Sequence, residues 1–420
     1  MNDECPYQFN LMDPERMSHG IPFEDLATLR SQCPVSRQDA TEHSGEFWAL
    51  TRREEIDFVS KNPGLFSSSI NMAHPHPAGD DPAEQEIMRR LIINMDPPDH
   101  NQYRKVVRNA FTLRAVDALE PMMRERAREI IDKIAARGRC EFASEVAAEM
   151  PLFVICALME MPSEKRKEFS DLVDVMIGMD DPELNVSSED GQLAAARLFE
   201  IAMGLAAEHK TNPREGTVLD ALLNGVVEGE ALDEFEFCAF FLILIAGGIE
   251  TTRTATSQGM RLLIEHPEQL QLLVDDPSLI PGAVEEILRY HPSFNYMQRT
   301  ATRDVTVGDK QVKKGDILRM YYPSANHEQS VFGPDSEAFD VTRAQRMPEL
   351  KSEHRTFGIG QHFCLGSHLA RKELTVMFEE MIPRLRNPRL LGEHRQLVSN
   401  FISGVKEMYI EFDAEAAGED

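Results

Sequence analysis

The chain has 420 residues, with 44 Lys and Arg against 71 Asp and Glu, which gives a formal net charge of −27. With 42% hydrophobic and 27% charged residues, the composition is that of a soluble globular protein with a large core. The acidity argues against binding nucleic acid or an anionic membrane surface, because both require a basic face.

Two features of the sequence favour a cytoplasmic protein. Residues 1–20 contain no apolar run of the kind found in signal peptides, and no later window reaches about 18 uncharged apolar residues. The six cysteines show no paired spacing, so we expect reduced thiols rather than a disulfide framework. They are Cys5, Cys33, Cys140, Cys156, Cys238 and Cys364.

The first half of the chain begins with turns and then becomes helical. A short strand is predicted over Glu46–Thr51, and a long polar loop over Ser67–Glu84. From Asn101 onwards, apolar residues recur with helical spacing. The segments are Val106–Phe111, Ala115–Ile134, Ala143–Met159 and Leu193–Ala207.

The second half contains the longest predicted helix, from Asp233 towards Ile264, with Pro267 after its end. A strand-rich patch follows over Val305–Tyr322, and a final hairpin is predicted over Leu397–Phe412, before an acidic tail at residues 413–420. No linker divides the chain. We therefore expect one mainly helical domain over residues 1–420, with a helix-rich core at about 100–300 and a minor β portion.

The segment Phe357–Gly366 contains two closely spaced glycines followed by Cys364 at the entrance of a predicted helix. Free amides and the positive end of the helix dipole are expected to lower the pKa of Cys364 and favour its thiolate. Such a cysteine could be a nucleophile, an axial metal ligand or a small buried hydrophobe.

Three other segments carry polar residues in unusual settings. Ala246–Thr252 places two glycines and Glu250 inside the apolar helix. This pattern indicates a functional feature, either a local kink or a backbone that passes close to a ligand. The alternative is a purely structural kink with Glu250 turned to solvent. Glu286 and Arg289 share one helix face, as many solvated ion pairs do. His100 and Arg104 also share a face, after the turn at Asp96.

His74-Pro75-His76 lies in the polar loop without cysteine or carboxylate ligands at metal spacing. We therefore do not expect a metal site there.

The pattern Phe-x-x-Gly-x-His-x-Cys-x-Gly at Phe357–Gly366, continued by Leu369–Arg371, resembles the heme-thiolate loop of the cytochrome P450 family. The resemblance covers residues from about 13 to 412. It implies a triangular helical domain around heme b, with small antiparallel sheets and the Cys364 thiolate as axial ligand. A thiolate pushes electron density onto iron and helps to cleave the O–O bond. The implied heme contacts are Phe357, Gly358, His362, Gly366, His100, Arg104 and Arg299.

The same resemblance assigns roles to the other segments. Thr251 is expected to hydrogen-bond dioxygen at the heme, Glu250 to relay protons from solvent, and Thr252 is a weaker candidate. Glu286 and Arg289 are implied to form a structural lock that Phe339–Arg343 completes.

Soluble bacterial members that oxidise monoterpenes, steroids and alkyl-aromatic compounds are similar in several short stretches. The resemblance implies a hydrophobic pocket formed with the loop Ser67–Glu84. Its further residues would be Ile243, Gly247, Phe294, Met297, Phe401, Ile402, Met176, Ile177 and Met179.

Two segments, His100–Arg114 and His354–Lys372, contain no acidic residue within an acidic protein. In the family both lie on the thiolate side of the heme. We expect a basic face there that docks an acidic [2Fe-2S] ferredoxin. Its residues would be Arg104, Lys105, Arg108, Arg371 and Lys372, with Arg114 and Arg355 nearby.

The expected function is that of a monomeric monooxygenase, with electrons from NAD(P)H through a ferredoxin reductase and ferredoxin. It inserts one oxygen atom into a C–H bond of a small hydrophobic substrate. The alternatives are a heme-thiolate peroxygenase or isomerase, a heme protein without turnover, and a cysteine-nucleophile enzyme without heme. The acid–alcohol pair Glu250-Thr251 argues against the first two.

Overall fold

The computed structural model describes residues 5–73, 82–178, 181–184 and 186–415. Most of these residues are helical, as the sequence predicts. The helices are α1 (Pro14–Met17), α2 (Phe23–Gln32), α3 (Arg53–Lys61), α4 (Pro82–Arg89), α5 (Asp99–Val107), α6 (Leu113–Asp117), α7 (Glu120–Ala135), α8 (Glu149–Leu158), α9 (Arg166–Ile177), α10 (Ser188–Thr211), α11 (Val218–Leu223), α12 (Glu234–Glu265), α13 (Pro267–Asp275), α14 (Ile280–Tyr290), α15 (Tyr322–Asn326), α16 (Gln329–Phe332), α17 (Arg343–Arg346), α18 (Leu350–Glu353) and α19 (Ser367–Met381).

The strands are short and form small sheets. They are β1 (Val35–Gln38), β2 (Phe47–Leu50), β3 (Phe66–Ser67), β4 (Arg139–Glu141), β5 (Val226–Val227), β6 (Glu230–Ala231), β7 (Met297–Ala301), β8 (Val305–Val307), β9 (Lys310–Val312), β10 (Ile317–Met320), β11 (Arg386–Leu390), β12 (Arg395–Gln396), β13 (Val405–Glu407) and β14 (Tyr409–Asp413). The largest sheet has the order β1-β2-β10-β7-β3, in which only the β2–β10 pair is parallel.

Helix α12 begins and ends where its sequence predicts. Asp233 accepts a 2.7 Å hydrogen bond from the amide of Glu236, whose carboxylate accepts one from the amide of Asp233 in return. This capping box starts the helix, and Pro267 opens α13 immediately afterwards. Among the described residues, α12 alone is long and apolar enough to cross a membrane, but half of its most apolar window is buried. It is therefore the central core helix.

The core that positions the site is built around α12. The main hydrophobic cluster joins α12 to α7, α8, α14 and α19, and a second cluster underlies the five-stranded sheet. Where α12 meets α19, a Cβ atom on Gly259 would stand 2.6 Å from the ring of Phe378, so the absence of a side chain allows the close approach. Helix α19, which begins three residues after Cys364, is thereby packed against the central helix.

Two of the predicted elements differ in the structure. The final hairpin is wrong in extent: β12 and β13 pair with each other, whereas Tyr409–Asp413 pairs with β11 and β4 in a separate sheet. The polar loop is too long by four residues, because Ser67 belongs to β3 and Pro82 starts α4. Residues 74–81 of that loop, including His74 and His76, lie outside the described residues, as do residues 416–420 of the tail.

The expectation of six reduced cysteines is wrong for one pair, because Cys5 and Cys33 form a disulfide. Packing rather than spacing brings them together: the N-terminal segment runs beside β1, where the side chain of Gln38 accepts a hydrogen bond from the amide of Phe9. The other cysteines are free, and Cys140, Cys156 and Cys238 are buried. Burial raises the pKa of the Cys140 and Cys156 thiols to about 12 and that of Cys238 to about 11.

Candidate functional site

The Cys364 loop is a tight turn that depends on its glycines. Gly358 and Gly360 have positive φ values of 68° and 77°. A Cβ atom on Gly360 would stand 2.6 Å from the carbonyl oxygen of Ser60 on α3, so no larger residue fits there. The loop closes through a 2.9 Å hydrogen bond from the amide of Cys364 to the carbonyl oxygen of Phe357.

Burial raises the pKa of the Cys364 thiol, and this effect outweighs three that lower it. They are the amide of Gly366, at the start of α19, and the positive charges of Arg104 and Arg371. The predicted lowering of the thiol pKa is therefore wrong in its net direction, because desolvation dominates. A coordinated metal ion would reverse this balance, since it deprotonates a ligating thiol outright.

Four predicted cofactor contacts lie together beside this loop. The ring centroids of His100 and His362 are 4.0 Å apart. Arg104 donates a 2.6 Å hydrogen bond to the carbonyl oxygen of Phe363, the residue before the cysteine. Arg299, on β7, is buried and donates to the carbonyl oxygen of its own neighbour, Gln298, at 2.7 Å.

This cluster lacks an anionic partner among the described residues. No carboxylate oxygen lies within 4.0 Å of the guanidinium of Arg104 or Arg299, and burial lowers the pKa of both. Nδ1 of His100 is also buried without a hydrogen bond. Buried cations of this kind need a charged acceptor. The donors therefore fit the paired propionates of a heme.

The two glycines of α12 have different surroundings. The Cβ position of Gly247 has no atom within 4 Å, whereas a Cβ atom on Gly248 would stand 2.7 Å from the side chain of Ile155 on α8. Thr251 donates a 2.7 Å hydrogen bond to the carbonyl oxygen of Gly247. Thr252 is buried. The helix thus presents open space at Gly247, with the hydroxyl of Thr251 one turn away.

Glu250 is 1% exposed and does not face solvent. The alternative of a structural kink with Glu250 turned to solvent is therefore wrong. The carboxylate of Glu250 accepts from Thr254 Oγ1 at 3.2 Å and lies 3.5 Å from Arg253 Nη1, which contacts Asp174 of α9 at 3.4 Å. Asp174 is largely exposed. Burial raises the pKa of Glu250, and the charge of Arg253 offsets part of the increase. A chain of polar groups thus connects a buried acid with the surface.

The predicted pocket residues come from α9, α12, β7 and the loops that contain Phe294 and Phe401, and they keep part of their surface accessible. The rings of Phe294 and Phe401 are 4.8 Å apart, and an isolated β-bridge joins Phe294 to Ile402. Ile243 and Met297 are half-buried. Of the further residues predicted for the pocket, Met176 is half-buried at the end of α9, whereas the Ile177 side chain and Met179 lie outside the description.

Glu286 and Arg289 form a fully buried, bidentate ion pair rather than a solvated one, with distances of 2.7 and 2.8 Å. Arg343 donates to the same carboxylate at 3.0 Å from its Nε. Arg289 also donates to the carbonyl oxygen of Asn326 at 2.7 Å. The segment Phe339–Arg343 is therefore joined to α14 through this network.

The predicted basic face is smaller than the sequence indicates. Arg371 pairs with Glu285 at 2.7 Å and Lys372 pairs with Glu120 at 2.6 Å. Arg355 is buried against a carboxylate of α3. These three cations are neutralised by acids from distant segments, so including Arg371 and Lys372 in the face is wrong.

Three exposed cations remain near the end of α5 and the start of α6. Lys105, Arg108 and Arg114 are exposed, and no carboxylate among the described residues lies within 4.0 Å of them. Leu113, next to Arg114 in the chain, has a side chain that is 59% exposed. Arg104 itself turns inward to the Cys364 loop. We call Lys105, Arg108, Leu113 and Arg114 the α5–α6 face.

Sequence reasoning missed two residues that support the site. Ser293 donates a 2.8 Å hydrogen bond to the carbonyl oxygen of Thr251, and no local signal indicates this contact. Arg253 stands three residues after Glu250, a helical spacing from which their pairing could have been predicted. In the described part of the chain, no cluster of three or more His, Cys, Asp or Glu side chains is placed to hold a metal ion.

Comparison with known sequences matches residues 71–276 and 278–388 to the family described as cytochrome P450. The chain is 33% identical over 420 residues to a steroid C26-monooxygenase of Rhodococcus jostii, covering 98% of this chain and 86% of the relative. It is 30% identical to a linalool 8-monooxygenase of Pseudomonas putida, covering 96% and 98% of the two chains.

Comparison with solved structures finds the same architecture. A cytochrome P450 of Mycobacterium marinum in complex with pseudoionone has a TM-score of 0.83 and 29% identity, over 93% of this chain and 94% of the other. A cytochrome P450 of Chondromyces apiculatus has a TM-score of 0.84 and 28% identity, over 98% and 99%. The predicted fold class is confirmed.

Proposed function

The chain belongs to the cytochrome P450 family, and from this premise we propose that it hydroxylates a small hydrophobic substrate of the steroid, terpenoid or alkyl-aromatic class. It is a heme-thiolate monooxygenase, whose cofactor is heme b with a cysteine thiolate as axial ligand. When bound, the heme supplies reductive activation of dioxygen.

Cys364 is the axial ligand in this proposal, with Phe357, Gly358 and Gly366 shaping the loop that carries it. The single observation that supports the site most strongly is the cluster of two arginines and two histidines beside Cys364, whose arginines have no carboxylate partner among the described residues. His100, Arg104, Arg299 and His362 would hold the heme propionates. Their hydrogen-bonding capacity is not used by any carboxylate among the described residues.

Thr251 and Glu250 take part in proton transfer in this proposal. The Thr251 hydroxyl lies beside the open space at Gly247, where it can orient water or dioxygen. Burial raises the pKa of Glu250, which favours its protonated form and suits a group that passes on protons. Arg253 and Asp174 connect it to solvent. An acid–alcohol pair with a route to the surface favours oxygen insertion over the peroxygenase, isomerase and non-catalytic alternatives.

The substrate pocket would include the open space beside Gly247. Ile243, Phe294, Met297 and Phe401 supply an apolar lining that suits a lipophilic molecule. Relatives named for steroids, for linalool and for methyl-branched lipids share 30–33% identity with the chain, and these names motivate the substrate classes to test.

The electron donor in this proposal is a [2Fe-2S] ferredoxin, reduced by NAD(P)H through its reductase. It would dock on the α5–α6 face. This face adjoins the Cys364 loop because Arg104 of α5 contacts the carbonyl of Phe363. We place the protein in the cytoplasm as a monomer, with residues 1–420 as one heme domain.

A substrate screen tests the proposal. Steroids, terpenes, alkyl-aromatics and branched lipids are added to the ferric holoenzyme, and the heme spin state is followed by absorption. We expect one class to shift the spin state at micromolar concentration and to yield a hydroxylated product with ferredoxin, reductase and NAD(P)H. Product formation with peroxide alone, but not with reduced ferredoxin, would favour the peroxygenase instead.

A further inference from the structure

Arg371, the fifth residue of α19, turns its side chain inward against the Cys364 loop. Its Cζ lies 4.4 Å from the centroid of the Phe357 ring, over the face of the first residue of that loop. Its Nε donates a 2.7 Å hydrogen bond to Glu285, and its Nη2 donates to the carbonyl oxygen of Lys351 at 3.0 Å. The guanidinium is thus held in one orientation by partners on α14 and α18.

Glu285 anchors this arrangement from α14. Its second carboxylate oxygen lies 3.0 Å from Nε2 of His354, which is buried. Burial alone would raise the pKa of Glu285, but its bonds to His354 and Arg371 outweigh that effect and lower the pKa. Glu285 is therefore an ionised group that fixes Arg371 while partly neutralising its charge.

Phe357 transmits the contact to the cysteine. Its ring receives the guanidinium, and its carbonyl oxygen accepts the hydrogen bond from the amide of Cys364 at 2.9 Å. A cation over an aromatic face is attracted by the ring quadrupole. A fixed charge is therefore coupled to the cysteine through one packed ring and one hydrogen bond.

We propose that Arg371, anchored by Glu285, is a positioning residue that sets the reduction potential of the heme by holding a positive charge against Phe357 beside Cys364. The inference rests on the proposed function in one respect, that Cys364 is the axial ligand. A cation near the thiolate stabilises charge on sulfur and so weakens its donation to iron, which favours the ferrous state. Arg371 raises the potential, and Glu285 moderates this increase.

The test is a mediated spectroelectrochemical titration of the ferric–ferrous couple in the substrate-free holoenzyme, which needs no redox partner. Arg371→Gln removes the cation and is expected to lower the midpoint potential. Glu285→Gln removes the counter-charge, keeps a hydrogen-bond acceptor, and is expected to raise it. Arg371→Lys keeps the charge without the planar stack and should fall between wild type and Arg371→Gln.

The matched control is Arg384→Gln. Arg384 is a partly buried arginine that pairs with Glu415 and Asp132, and its loss should leave the potential unchanged. If Arg371→Gln fails to bind heme, Glu285→Gln still decides the matter. An unchanged or lowered potential in that variant would overturn the proposal.

If the midpoint potential shifts in the same direction in Arg371→Gln and Glu285→Gln, the proposal is also overturned. Removing a charge and removing its counter-charge must shift the potential in opposite directions, whereas disrupted packing need not. Failure of the proposed function has a different signature, since wild type would then lack a thiolate-type absorption band in its reduced, CO-bound form. With that band present in wild type, the midpoint potentials test Arg371 alone.

Discussion

The hydroxyl of Thr251 donates a 2.7 Å hydrogen bond to the carbonyl oxygen of Gly247, one turn earlier in α12 and next to open space. We expect Thr251→Ala to bind heme and substrate normally but to divert electrons to hydrogen peroxide. Product formation should fall by up to roughly 10²-fold, as for loss of a proton-transfer group. The ratio of product to NAD(P)H consumed measures the effect.

Thr252→Ala is the control for that variant, since Thr252 is the adjacent hydroxyl but is buried. It should couple electrons to product as wild type does. Unchanged coupling in Thr251→Ala, or equal uncoupling in both variants, would remove Thr251 from the proton pathway.

Glu250 should make the stability of the protein depend on pH. Its folded-state pKa lies above the ordinary value of 4.5, so the native state binds more protons than the unfolded state within that interval. The free energy of unfolding therefore falls as pH rises from about 4.5 through the raised pKa, and this contribution is then constant.

In Glu250→Gln this contribution is absent. The free energy of unfolding of the variant, minus that of wild type, should increase over the same pH interval in urea titrations. A difference that stays constant or decreases would contradict the raised pKa.

The buried network of Glu286, Arg289 and Arg343 should be costly to break. Arg289→Ala leaves the buried Glu286 carboxylate with Arg343 as its one remaining cation, beside the amide of Asp340, and a loss of about 3–5 kcal/mol is expected. Chemical denaturation and heme content measure it. Lys167→Ala is the control, because Lys167 pairs with Asp171 on the surface, and such exposed pairs contribute about 1 kcal/mol or less. Equal losses in the two variants would refute a structural lock.

The α5–α6 face should govern reduction by ferredoxin. Arg108→Glu is expected to slow reduction by roughly tenfold or more at low ionic strength, because it reverses a charge that steers the partner. Added salt should reduce the difference from wild type. Lys210→Glu, an equal charge reversal at the exposed end of α10, should have little effect. Equal slowing in both variants would indicate a general charge effect instead of a docking site.

The parts of the fold that follow from local chemistry could be predicted. The capping box at Asp233 and the proline at 267 set the ends of α12, and two glycines mark the turn before Cys364. Each signal lies within a few residues of the feature that it predicts. The family pattern added the expected neighbours of the cysteine, and the structure brings those residues together.

Most of the errors involve partners that are distant in sequence. Lys372 and Glu120 are 252 residues apart, and Arg371 and Glu285 are 86 apart, so segments without acids still received acidic neighbours. The pairing of β14 with β4 and the Cys5–Cys33 disulfide are likewise set by tertiary packing. The pKa of the thiol depends on burial, which a helix position alone does not reveal.

The central claim, that this chain holds heme through the thiolate of Cys364, is tested most directly by the absorption spectrum of the reduced, CO-bound protein. We predict a Soret band at the position typical of thiolate ligation, which is lost in Cys364→Ser. A Soret band at the histidine-ligated position in intact wild-type protein, or a thiolate band that persists in Cys364→Ser, would contradict the assignment.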